Sequence, residues 1–125
     1  MKINSMCCFG GQSLAEDLYR LRKGVHVMVG TAARILDLTR RGHCNLSKCR
    51  YFVLDEADKM LSDNFLPVVE DLLPFLPKER QIMLFSATFP NMVKRFCDRY
   101  MHDPVMINTM DELTLQGVTQ YYVFL

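Results

Sequence analysis

Apolar residues in this chain form short unbroken runs, separated by stretches in which they recur every three or four positions. Ile3 to Cys8 is a weak first run, and Gly10-Gly11 break the chain after it. Ser13 and Glu16 then form an S-x-x-E capping box, and Asp17 adds a second acid to the first turn of a predicted helix. Arg20, Arg22 and Lys23 stand in its last turn, where the helix dipole favours cations, and Gly24 ends it. Val25 to Val29 reads as a strand, and Thr31 to Arg41 as a helix stopped by Gly42. Tyr51 to Leu54 contains no polar residue, which predicts a strand buried on both faces, as in a parallel sheet. Phe65, Leu66, Val69, Leu72, Leu73 and Leu76 recur at helical spacing; Pro67 suits a first turn, and Pro74 should end or kink the helix. Gln81 to Phe85 is the next strand, and Pro90 opens a helix reaching about Tyr100. Val105 to Ile107 and Val118 to Phe124 are the last two predicted strands.

This alternation predicts an α/β fold with a mostly parallel sheet flanked by helices. In such sheets ligands bind beyond the carboxyl ends of the strands. The residues to read first are therefore Gly10-Gly11, Gly30-Thr31, Asp55-Glu56-Ala57-Asp58, Ser86-Ala87-Thr88 and Asn108.

Composition narrows the picture. At 125 residues there is room for one small domain, with half the residues apolar and 23% charged. The net charge of +1 hides an asymmetry: residues 1–50 carry nine Lys/Arg against three Asp/Glu, and residues 51–125 carry six against eleven. A basic half followed by an acidic half suggests an anion-facing surface and a separate acidic site. Five cysteines without C-x-x-C spacing argue against a disulfide framework or a zinc site and read as reduced thiols. The longest apolar runs fall far short of the roughly 18–20 residues that span a bilayer, so no membrane association is expected. Asn4 and Ser5 interrupt any signal-peptide core.

Three acids, Asp55, Glu56 and Asp58, follow a strand with no polar residue in it. One carboxylate there can hold Mg²⁺ through water, and a second can orient or deprotonate a water attacking a phosphate, which is the physical content of a Walker B site. Taken alone, the same acids also suit the first turn of a following helix. Ser86 and Thr88 can hydrogen-bond a neighbouring carboxylate; taken alone, they also suit a helix cap before Pro90.

Taken together the motifs are far more specific. The sequence resembles the DEAD-box RNA helicases. Val53 to Asp58 matches motif II of that family, Phe85 to Pro90 matches motif III, and Gly10-Gly11 matches its GG motif. Thr31-Ala32-Ala33-Arg34 resembles motif Ib, whose usual form is T-P-G-R. Asp111 to Tyr122 resembles the interdomain linker of the branch that represses translation and activates mRNA decapping in cytoplasmic processing bodies. The resemblance implies a RecA-like fold and an ATP-dependent RNA helicase. Asp55 would bind the Mg²⁺ of MgATP through water, and Glu56 would position the hydrolytic water. Asp58, Ser86 and Thr88 would couple the nucleotide state to RNA-strand separation. Gly10, Gly11, Thr31 and Arg34 would lie on the RNA backbone, in the basic half of the chain. Lys48, Arg50 and Lys59 read as solvated charges. Implied partners are RNA and the proteins of mRNA decay and translation repression.

Two departures stand out. Ala32-Ala33 replaces Pro-Gly, and a methyl group where glycine lets a phosphate approach should weaken RNA contact. The 125 residues contain no G-x-x-x-x-G-K-[ST] phosphate loop. The expected organisation is the C-terminal portion of a first RecA-like domain at 1–108, an interdomain linker at 109–117 and the first strand of a second domain at 118–125. The chain alone is then expected to hydrolyse no ATP and to dissolve poorly. The alternative reading is a short non-catalytic decoy that binds RNA or a partner protein.

Overall fold

Strands and helices alternate in this computed structural model, which describes residues 2–109, Tyr121 and Val123. They are β1 (Ser5–Cys8), α1 (Leu14–Arg22), β2 (Val27–Gly30), α2 (Ala32–Arg40) and β3 (Tyr51–Leu54). There follow α3 (Ala57–Met60), α4 (Leu66–Leu72), β4 (Gln81–Leu84) and α5 (Asn91–Tyr100). The α/β class and the parallel pairing are as expected. β1 pairs with β2 and β3 with β4, each in parallel, but among the described residues the two pairs do not join into one sheet.

Local chemistry explains most boundaries. α2 ends where the Gly42 and His43 N–H groups turn back to the carbonyls of Thr39 and Leu38, which satisfies the last turn. α4 passes at Pro74 into a 3₁₀ turn, Leu73–Phe75, because proline cannot donate to the helical ladder. The capping box at α1 does not form. Ser13 is the N-cap, but its side chain makes no capping bond, and Glu16 pairs with Arg20 one turn on.

Two apolar clusters hold the fold together. The larger gathers Leu36 of α2, Leu54 of β3, Ala57, Leu61, Val69 and Leu72, Ile82 of β4, and Val93 and Phe96 of α5. The smaller gathers Met6 and Cys8 of β1, Leu38 of α2 and Cys44. Ile35 and Leu46 pack against both. Fully burying a leucine such as Leu38, Leu61 or Leu72 contributes about 1.5–3 kcal/mol.

The helices cover one face of each strand pair. The expectation that β3 is buried on both faces is not met: Leu54 is buried, but Tyr51 is 61% exposed and Val53 is exposed. β2 is equally one-sided, with Val29 60% exposed. Nothing among the described residues packs on that second face. Val105 to Ile107 is no strand either; Val105 is 90% exposed, and an extended apolar run becomes a strand only where an edge pairs with it. Most of the expected final strand and most of the linker lie outside the described residues. No helix among the described residues is long and apolar enough to cross a membrane.

Candidate functional site

β3 and β4 run side by side in register, Tyr51 opposite Gln81 and Leu54 opposite Leu84, so their carboxyl ends stop together. The ladder continues past both strands: the Phe85 N–H donates to the Leu54 carbonyl at 2.9 Å, and the Ala57 N–H to the Phe85 carbonyl at 3.0 Å. This zips the acidic turn after β3 to the hydroxyl-bearing turn after β4. Thr88 Oγ1 then donates to Asp58 Oδ2 at 2.5 Å, and the Asp58 N–H donates to Ser86 Oγ at 3.2 Å. α5 begins at Pro90 without a side-chain cap, so these hydroxyls serve Asp58 and not the helix. The Thr88 hydroxyl holds the Asp58 carboxyl below its ordinary value against the opposing effect of desolvation, with lesser help from Ser86 and the Lys59 N–H.

Glu56 starts α3 in the left-handed region, at φ 50° and ψ 50°. A non-glycine residue there carries backbone strain, and such strain concentrates at functional sites. Asp55 is exposed at the strand end, and its Oδ1 accepts the Glu56 N–H at 3.0 Å. Lys59 Nζ lies 2.6 Å from Glu56 Oε2. Both side chains are largely exposed, so the pair is solvent-screened and readily exchanged. Sequence reasoning left Lys59 as a solvated charge; its place three residues along the helix from Glu56 was the available signal. No group of three metal-ligating side chains gathers among the described residues. The donor chemistry here, an exposed carboxylate, suits a hard cation that keeps its water, such as Mg²⁺.

The second set of predicted residues sits at the other strand pair. Cys8 of β1 stands opposite Gly30 of β2, so Gly10-Gly11 and Thr31 leave adjacent strand ends. A turn closes from the Gln12 N–H to the Phe9 carbonyl, with Gly11 at φ 87°, a conformation that favours glycine. A Cβ on Gly10 would meet nothing within 4 Å, so packing within the chain does not require glycine there. The Thr31 N–H donates to the Cys8 carbonyl at 3.1 Å, and Thr31 is the N-cap of α2, whose first turn carries no acid. That helix start therefore keeps its positive end unneutralised. Arg34 is held within the chain. Its Nε donates to Asp17 Oδ2 at 2.9 Å, and its Nη2 donates to the Gln12 carbonyl at 3.1 Å. Asp17 was read only as a first-turn acid of α1; a tertiary pair seventeen residues apart leaves no periodic trace in sequence. Ala32 is buried in the larger cluster, and Ala33 is exposed.

Comparisons with known proteins agree with this geometry. The family described as DEAD/DEAH box helicase matches residues 1–96. "ATP-dependent RNA helicase dhh1" of Aspergillus clavatus is 57% identical over 122 residues, which is 98% of this chain and 24% of that protein. "ATP-dependent RNA helicase DHH1" of Phaeosphaeria nodorum is 59% identical over 98% of this chain and 23% of its own. The crystal structure of a DEAD box protein from the hyperthermophile Methanococcus jannaschii superposes with a TM-score of 0.76 at 38% identity, covering 82% of this chain and 28% of that one. The chain thus spans about a quarter of the length of the curated relatives it matches.

Proposed function

The chain belongs to the DEAD/DEAH box helicase family, and from that premise we propose that it is part of an ATP-dependent RNA helicase. In this reading it grips RNA through the backbone and couples ATP hydrolysis to the remodelling of RNA and RNA–protein complexes. Its likeness to the Dhh1 helicases supports the branch that represses translation and activates mRNA decapping. The proposed setting is the cytoplasm and its processing bodies, with mRNA-decay and translation-repression proteins as partners. Residues 1–108 form the later portion of a first RecA-like domain, 109–117 the interdomain linker and 118–125 the first strand of a second domain.

One observation carries the reading: the Asp58–Thr88 hydrogen bond joins the acidic turn of β3 to the hydroxyl turn of β4 at adjacent strand ends. In the proposed mechanism Asp55 and Glu56 stand at the phosphate end of a nucleotide site. Asp55 would hold Mg²⁺ through water, and Glu56 would orient the attacking water and take its proton. Bound MgATP would supply the phosphoryl group whose hydrolysis drives the cycle. Asp58, Ser86 and Thr88 link the two turns, so displacement of one is felt by the other. Gly10 and Gly11 offer backbone N–H groups, and Thr31 its hydroxyl, to RNA phosphates, a grip with little sequence preference. With no phosphate loop in these 125 residues, the chain by itself turns over no ATP.

The test is the size and activity of the cellular protein. An antibody to the segment 111–120 captures the product for intact mass and phosphate-release measurements with RNA. A mass several times 14.5 kDa with RNA-stimulated turnover supports the helicase reading. A product near 14.5 kDa that binds RNA without turnover replaces it with a non-catalytic decoy, the reading that Ala32-Ala33 favours.

A further inference from the structure

We propose that Asp17 is a positioning residue for the RNA-facing loops and acts through Arg34, which serves as an internal strut and not as a phosphate grip. The inference rests on the RNA-binding reading above and deepens it. Asp17 is 1% exposed, the one buried carboxylate among the described residues. The Arg34 side chain is 15% exposed. One guanidinium spans three elements: it rises from the first turn of α2, meets the first turn of α1 at Asp17, and meets the glycine turn at the Gln12 carbonyl. It therefore fixes the distance between the two loops that leave β1 and β2.

Burial gives the strut its stiffness. Removing either charge strands the other away from water, so the pair resists opening in a way that an exposed pair does not. An arginine that gripped phosphate would stand free in solvent. Here two of its nitrogens are already engaged, and the RNA-binding reading gives phosphate the backbone N–H groups of Gly10, Gly11 and the first turn of α2 instead. Arg34 keeps those donors in register.

A sign reversal makes this testable. Asp17→Asn removes a negative charge near a polyanion, which by simple electrostatics tightens RNA binding. Loss of positioning weakens it. The full-length protein that carries these residues is titrated with single-stranded oligouridylate at several salt concentrations, beside Asp17→Asn, Arg34→Lys, Arg34→Gln and Asp17→Asn/Arg34→Gln. Hydrogen exchange of residues 9–13 and 30–34 is followed without RNA. The double variant strands no charge and guards against a single variant that fails to fold. Expected for Asp17→Asn and for the double variant are about tenfold weaker binding and faster exchange in both loops. Arg34→Lys, which keeps the charge but cannot reach both partners, weakens binding in the same direction. The slope of log affinity against log salt stays that of the unsubstituted chain in Arg34→Gln. Binding by Asp17→Asn at or above the unsubstituted level overturns the proposal, as does a slope lowered by about one in Arg34→Gln, the signature of a lost phosphate contact. If the unsubstituted chain holds no RNA, the RNA reading fails, and unchanged exchange in Asp17→Asn then overturns the strut by itself.

Discussion

The Asp58 carboxylate shows how much a single hydroxyl can do at an exposed site. Its carboxyl is held below the ordinary value of 3.8, chiefly by Thr88. A depressed folded value means the contact is fully present above about 3.8 and is lost as pH falls through the lower value. Carbon-detected NMR titration should place the Asp58 midpoint below 3.8, and Thr88→Ala should move it up toward that value. At the other strand pair the governing residue is Gly30. A Cβ there would lie 2.1 Å from the Cys8 carbonyl oxygen and 2.6 Å from its Sγ, and backbone cannot step aside. Gly30→Ala should therefore destabilise the fold by roughly 2–3 kcal/mol or more, read as a lower denaturation midpoint.

Element by element, what the sequence made legible was what local chemistry decides. β3 begins and ends as its apolar run does, and α1, α2 and α5 begin within a residue of their predicted starts. What it hid was tertiary. The Ser13 cap went unmade, the Val105–Ile107 run found no edge, and Arg34 turned inward to an acid whose position on α1 looked like dipole compensation. The acidic and hydroxyl turns were legible because each directly follows a strand, and a bond from the hydroxyls to a neighbouring carboxylate was expected; its geometry was not legible, since it depends on β3 and β4 being neighbours. α2 carries a prediction of its own. Its first residue is Ala32, a position where proline's fixed φ fits and its missing N–H is no loss. Ala32→Pro should raise stability by about 0.4–1 kcal/mol by restricting the unfolded chain. Ala33→Gly should lower it by about 1 kcal/mol, the ordinary helix penalty. The double substitution, which restores the family's usual T-P-G-R, should tighten the proposed RNA contact at little net change in stability, as paired melting and RNA titrations would show.

At the scale of the molecule, the apolar residues among those described outnumber the surfaces available to bury them. Tyr51 and Val53 on β3, and Val27 and Val29 on β2, lie bare while their neighbours along each strand face the helices. Exposed apolar strands with open edges promote association between chains. The isolated 125 residues should therefore scatter light as aggregates at concentrations where a closed domain stays monomeric. Val29→Lys combined with Val53→Lys should shift the population toward monomer, because charge on an open strand face opposes stacking. A monodisperse parent chain that melts cooperatively would count against this account.

α2 touches both apolar clusters, with Leu38 in the smaller, Leu36 in the larger and Ile35 against each. The strand pair bearing Gly10 and Thr31 and the strand pair bearing Asp55 and Thr88 share no backbone ladder among the described residues, so this helix is a principal mechanical link between them. Sub-global opening should then come in two cooperative units with α2 common to both. A chain built this way can loosen one strand pair without melting the other, and the helix between them sets how far each half hears the other.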